Sequence, residues 1–231
     1  MGHFLNAEQH RILQAMDIPV WVARGAEENS ADPDQDIPDQ NIPDQNIDAL
    51  WDGLEKEVAG CIRCQLHQTR TQTVFGVGNR NAQWMILGEA PGADEDRQGE
   101  PFVGRAGLLL NEMLRAVGLA RSDVYIANIL KCRPPGNRDP GSGEVAACAD
   151  YLTRQIELIR PRLILAVGRI AAQNLLDEDQ PVGKLRGIVH EFGSAKIPVV
   201  VTYHPAYLLR SPAQKRKAWS DLCLARRVAD S

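Results

Sequence analysis

Four cysteines, an asparagine inside an apolar run, a histidine just past another and a knot of carboxylates are the residues here whose types and spacing invite chemistry. Cys61-Ile-Arg-Cys64 sets two thiolates close enough to chelate one metal centre. Cys132 and Cys148 complete a set of four. Zinc and an iron–sulfur cluster both accept four thiolates; the wide second spacing departs from the paired knuckles of a zinc ribbon and favours a [4Fe–4S] cluster. Cys148 also reads as part of a packed helix face, Val145-Ala-Ala-Cys-Ala149, and Cys223, between Leu222 and Leu224, reads as core.

The carboxylates lie in the stretch from Met85 to Phe102. Trp84 to Leu87 is a short apolar run that reads as a buried strand. Gly88, Pro91 and Gly92 then force a tight turn, Glu89, Asp94, Glu95 and Asp96 make the following loop acidic, and a helical pattern starts after Gly104. Strand, glycine turn, acidic loop and helix is the form of a site at the carboxyl end of a parallel strand. Solvated acids on an ordinary turn give the same pattern.

Three further apolar runs read as strands: Val124 to Ile129, Leu163 to Val167 and Pro198 to Thr202. Helical patterns separate them, about 143–159 and 168–176, and another closes the chain at about 213–228; residues 177–196 read as loop and hairpin. Four apolar strands with intervening helices predict a parallel sheet covered on both faces. Glu89, Asn128 and His204 then fall at strand ends on one edge. A lone histidine after a strand is as readily structural, and Asn128 as readily bonds a neighbouring loop. Three polar side chains at equivalent strand ends argue for a site, with the Asn128 amide able to donate to and accept from a heterocycle edge.

The chain of 231 residues carries a net charge of −4 that conceals a division. Residues 1–60 hold 13 acids and 3 bases, whereas residues 61–231 hold 17 acids and 23 bases, a net of +6 that suits a phosphate-binding surface. No apolar run approaches the roughly 20 residues of a membrane span, and no signal peptide is recognisable, so a cytoplasmic, reducing compartment is expected. Three regions are expected: an N-terminal peptide (1–25), a linker (26–46) and a domain (47–231). The linker contains Ile37-Pro-Asp-Gln-Asn41 followed by Ile42-Pro-Asp-Gln-Asn46, a composition expected to remain disordered. The N-terminal peptide carries a short helical pattern over 7–16 and Trp21, and reads as either a frayed end or a docking peptide.

Four motifs in order resemble the family 4 uracil-DNA glycosylases: Gly88-Glu-Ala-Pro-Gly-Ala-Asp-Glu-Asp96, Pro101-Phe-Val-Gly-Arg-Ala-Gly107, Asn128-Ile-Leu-Lys-Cys-Arg-Pro-Pro-Gly-Asn-Arg138 and His204-Pro-Ala-Tyr207. The resemblance covers roughly residues 50–228. It implies a three-layer α/β/α sandwich with a central four-stranded parallel sheet, and a [4Fe–4S] cluster on Cys61, Cys64, Cys132 and Cys148. The implied activity is hydrolysis of the N-glycosidic bond of deoxyuridine in single- or double-stranded DNA, by a monomer. Gly88, Ala90, Gly92, Glu95 and Phe102 would line the base pocket, with Phe102 stacking on uracil and Glu95 crowding its C5 position. Asn128 would read N3 and O4, and His204 would bond O2 and stabilise the departing anion. Leu208, Leu209 and Arg210 would fill the gap left by the flipped nucleotide.

Related family 1 enzymes carry an Asp two residues after the first glycine of the motif; Ala90 holds that position here, leaving Glu89 to orient pocket backbone or water. Glu100 stands where many members are hydrophobic, with little effect expected. Asn137 to Ser142 lacks the reactive His of the crosslinking relatives, which disfavours covalent capture of DNA. Outside the covered region, Arg11 to Trp21 resembles the peptide by which the psi subunit of bacterial DNA polymerase III holds the clamp loader. That resemblance implies a replication contact through residues 11–24.

Overall fold

The computed structural model describes residues 44–231. The N-terminal peptide and the linker up to residue 43 lie outside the described residues. Helix α1 (Asp44–Ala59) begins within the segment read as linker. It buries Trp51, Leu54 and Val58, spaced three and four residues apart on one face.

The elements that follow are β1 (Val77–Gly78), β2 (Trp84–Gly88), α2 (Ala93–Gln98), α3 (Arg105–Ala116), β3 (Tyr125–Asn128), α4 (Ser142–Ile159), β4 (Leu163–Val167), α5 (Arg169–Leu176), α6 (Val182–Leu185), β5 (Val189–Phe192), β6 (Ile197–Thr202), α7 (Pro205–Arg210) and α8 (Lys215–Ala229). The sheet order is β1-β3-β2-β4-β6-β5. Its four central strands are parallel, as the apolar runs predict. The expectation of four strands is corrected to six, because β1 and β5 add antiparallel edges. β1 is too short to show periodicity, and β5 alternates exposed and half-buried residues instead of forming an apolar run.

Alternation along the strands divides the interior into two cores. Met85, Leu87, Ala127, Ala166 and Val201 face α1, α4 and α5, together with Leu54, Tyr151, Ile156 and Leu175. Ile86, Ile126, Leu165 and Val200 face the other way, against Leu110 and Leu114 of α3 and Leu222 and Ala225 of α8. This is the three-layer α/β/α arrangement. No helix among the described residues is long and apolar enough to cross a membrane.

Register fixes where chemistry can occur. Gly88 pairs with Asn128, and Val167 with Thr202, so the carboxyl ends of the four parallel strands end level. The chain leaves β2 for β3 on one side and returns to β4 on the other. Such a reversal opens a crevice above the strand ends.

Candidate active site and cysteine corner

Gly88, Asn128, Phe102 and His204 meet above those ends. Gly88 closes β2 and Asn128 closes β3. A Cβ on Gly88 would stand 2.4 Å from Asn128 Oδ1 and 2.6 Å from Phe102 Cζ, so only glycine lets both approach. Asn128 is 2% exposed, yet its side-chain amide bonds to no described residue. The Phe102 ring is buried and stacks against His204, with centroids 5.6 Å apart and planes 27° apart.

His204 caps α7, with Nδ1 accepting a hydrogen bond from the Ala206 N–H at 3.1 Å. A ring nitrogen that accepts carries no proton, so in neutral imidazole Nε2 is the donor. Burial pulls the His204 pKa down to about 4; nearby Arg210 adds to the fall and Glu95 opposes it. The ring is therefore neutral at physiological pH, with a fixed tautomer. Gly168, at φ +99°, lies against it, and a Cβ there would come within 3.0 Å of His204 Cβ.

The carboxylates of the first motif separate by task. Asp94 pairs with Arg97 on the surface. Buried Asp96 accepts from the Thr71 N–H and, at 2.7 Å, from the Thr71 hydroxyl, tying α2 to the segment after the cysteines. Glu95 accepts from the N–H groups of Gly92 and Val103, both at 3.1 Å, and of Gly104 at 3.4 Å. Its oxygens thus bind together the two loops that carry Gly92 and Phe102. The acidic loop is in fact helix α2, begun at Gly92 and closed by Gly99 at φ +79°. Half-buried Glu89 is the remaining acid; burial raises its pKa, Asp139 adds to the rise, and Arg169 opposes it. Ala90, also half-buried, packs against the first core.

One expectation for the DNA wedge is corrected. Leu208 is 1% exposed and belongs to the second core, so it does not project towards DNA. Residues 205–210 form a helix rather than an extended loop, and its spacing turns Pro205 and Leu208 inward together. Leu209 and Arg210 are the exposed members. Leu209 lines a groove of about 560 Å³ with Leu108, Leu109 and Arg105.

The four cysteines come from three places: the segment after α1, the exit of β3 and the second turn of α4. Arg70 donates to Cys132 Sγ at 3.1 Å and to the Cys61 carbonyl at 2.8 Å. The Lys131 N–H reaches Cys148 Sγ at 3.4 Å, and the Arg63 N–H reaches Cys61 Sγ at 3.5 Å. Burial pushes the Cys132 thiol up to about 11 against the pull of Arg70, with Cys148 and Cys64 adding to the rise. Cys148 is raised for the same reason, and Cys64 and Cys61 contribute there too. The four sulfurs therefore share one electrostatic neighbourhood. Among the described residues, no group of three or more His, Cys, Asp or Glu side chains forms a compact cage for a metal ion. Four thiols gathered from three segments, three of them already receiving N–H donors, are a donor set that a multi-iron cluster accepts. Cys223 is half-buried on α8.

Arg70, Arg121, Gly107 and the Lys131–Gln155 pair were missed by sequence reasoning. Gly107 and Lys131 left a trace, as members of the second and third motifs.

Residues 75–223 match the family described as the uracil DNA glycosylase superfamily. A type-4 uracil-DNA glycosylase of Archaeoglobus fulgidus is 50% identical over 176 residues, 74% of this chain and 88% of that protein. One from Thermotoga maritima is 45% identical over 159 residues, 68% of this chain and 82% of that protein. One from Pyrobaculum aerophilum is 41% identical over 177 residues, 74% and 90% of the two chains. The fold and site thus define a glycosylase, a hydrolase of N-glycosyl bonds. The chain belongs to the type-4 uracil-DNA glycosylases.

Proposed function

We propose that this enzyme flips deoxyuridine out of single- or double-stranded DNA into the strand-end crevice, hydrolyses its N-glycosidic bond and leaves an abasic site for base excision repair. The observation that carries this reading is the neutral His204 with its Nε2–H donor, set at the same strand-end crevice as the buried amide of Asn128 and the ring of Phe102. Phe102 would stack on the base. Asn128 would match the N3 donor and O4 acceptor of uracil, whereas cytosine presents the reverse pattern. Negative charge grows on uracil as the bond breaks, and a donor fixed at O2 stabilises that charge more than it stabilises the substrate. Glu89, with its proton affinity raised by burial, orients the water that captures the sugar cation. Glu95 shapes the pocket by holding its two loops, and Leu209 with Arg210 fills the gap in the duplex.

A [4Fe–4S] cluster would be held by Cys61, Cys64, Cys132 and Cys148. When bound, it cross-links three chain segments and keeps their sulfurs as thiolates. The chain acts as a cytoplasmic monomer, and residues 11–24 contact the replication clamp loader. The likeness of Arg11 to Trp21 to a clamp-loader-binding peptide supports that contact. Release of free uracil from a single-stranded oligonucleotide with one deoxyuridine, leaving an alkali-labile site, tests the function. An oligonucleotide left intact by anaerobically purified enzyme would refute it.

A further inference from the structure

Phe102 has a backbone that a bulky side chain avoids. Its φ is +55°, in the left-handed region where the Cβ crowds the neighbouring carbonyl. Such a conformation persists only where its surroundings impose it. From one side, Gly107 brings the backbone of α3 so close that a Cβ there would stand 1.7 Å from the Phe102 carbonyl oxygen. From the other side comes Arg121. Its Nη2 donates to the Pro101 carbonyl at 2.5 Å, and its Nη1 to the Phe102 carbonyl at 3.4 Å and to Asn111 Oδ1 at 3.3 Å.

Arg121 is half-buried, and among the described residues it forms no ion pair with a carboxylate. Desolvation weighs against its charge, and Glu100 relieves this only through space. A guanidinium with this cost and no carboxylate partner is unusual for a surface arginine. Its planar fork can reach three acceptors from one rigid position, which a lysine ammonium on a flexible stem cannot. All three acceptors belong to, or brace, the turn that carries Phe102.

We propose that Arg121 is a positioning residue for base recognition: it clamps the carbonyls of Pro101 and Phe102 and so holds the Phe102 ring where the flipped base stacks. This rests on the stacking role assigned to Phe102 above. The ring meets the base before and during bond cleavage, so the clamp acts on binding more than on the chemical step.

The test uses the full chain, a single-stranded uracil oligonucleotide as substrate and free uracil as inhibitor. Arg121→Met keeps the apolar stem and removes the donors. It is expected to raise KM and the free-uracil inhibition constant by about tenfold, less than the hundredfold or so that a 1 Å misplacement can cost. The same variant should hold kcat within about twofold. Arg121→Lys, which still reaches one carbonyl, should recover part of the loss. In a Phe102→Ala background, Arg121→Met should add less than about twofold, because residues acting through one another are not additive.

An equal tenfold loss in both backgrounds, or a fall in kcat with KM unchanged, would overturn the proposal. If Phe102→Ala weakens uracil inhibition and Arg121→Met does not, the clamp alone is wrong. If Phe102→Ala changes neither constant, the stacking role falls and the clamp with it. Should Arg121→Met fail to fold, Asn111→Ala removes one acceptor of the fork. A rise in KM of about threefold in the parent and none in the Phe102→Ala background supports the clamp, and no rise in either overturns it.

Discussion

At the carboxyl edge of the sheet, Gly88, Asn128 and His204 are brought together by strand register. At the cysteine corner, Cys61, Cys64, Cys132 and Cys148 arrive from a segment after a helix, a strand exit and the inside of a helix, and no sheet pairing aligns them. The first region is imposed by the fold; under the proposed cluster ligation, the second helps to impose it. A residue changed at the pocket should therefore cost chemistry and leave the fold, whereas one changed at the corner should cost stability first. The regions meet at Lys131. Its buried ammonium donates to the Asn128 carbonyl at 2.9 Å and to Gln155 Oε1 at 2.6 Å, while its own N–H reaches Cys148 Sγ.

The largest effect expected is at the pocket. His204→Ala should slow single-turnover excision by roughly 10²-fold or more, the scale for one lost oxyanion-type donor. Affinity for abasic-site DNA should hold, because phosphate contacts dominate it. A variant that excises at the parental rate would detach the chemistry from the strand ends.

At the corner, Cys132→Ser should lower the thermal midpoint by about 10 °C, since binding energy at a metal centre is folding energy. Excision measured well below that midpoint should fall by less than about tenfold. If rate falls as far as for His204→Ala while the midpoint holds, the contrast between the regions collapses.

The pocket was the more legible region in the sequence because parallel strands announce themselves as unbroken apolar runs. Leu163–Val167 falls on its predicted run, and the apolar runs alone put Asn128 at the end of one strand and His204 just past another. The six residues from Ala93 to Gln98 read as loop because three of them are acidic and fewer than two helical turns hold too few apolar positions for a period. Leu208 was assigned to the surface because a short stretch after a strand gives no sign of which side turns inward. Arg121 left no trace, because its three acceptors are two backbone carbonyls and an amide ten residues away. The corner was legible in its ligand types, but the spacing of cysteines says nothing of the arginine and lysine that serve them.

A smaller effect sharpens the account of recognition. Asn128→Asp should lower the preference for uracil over cytosine by about tenfold or more, because a carboxylate accepts from the cytosine amino group. Unchanged discrimination would remove Asn128 from the base edge.

The smallest effect expected is with pH. Because His204 is held neutral, its ring should add no titration at the ordinary histidine value of about 6.5; the raised Glu89 carboxyl titrates separately from it, and the ring's own protonation belongs towards about 4. Protonation of Nδ1 there would also break the cap on α7. The sign for stability agrees. The folded pKa lies below the unfolded one, so the contribution of His204 is complete above about 6.5 and is lost as pH falls towards about 4. A step near 6.5 in the single-turnover pH profile that persists in Glu89→Gln would mean that the ring is charged in the resting site.

The central claim is that the His204 Nε2–H serves the charge on the departing base. Comparing single-turnover excision of uracil and 5-fluorouracil, in the parent and in His204→Ala, tests it directly. Fluorine spreads the negative charge and makes the better leaving group, so less depends on a donor. The loss caused by His204→Ala should be smaller for 5-fluorouracil than for uracil, by about tenfold if leaving-group stabilisation is its main task. An equal loss for the two bases would mean that His204 acts elsewhere, and would contradict the account.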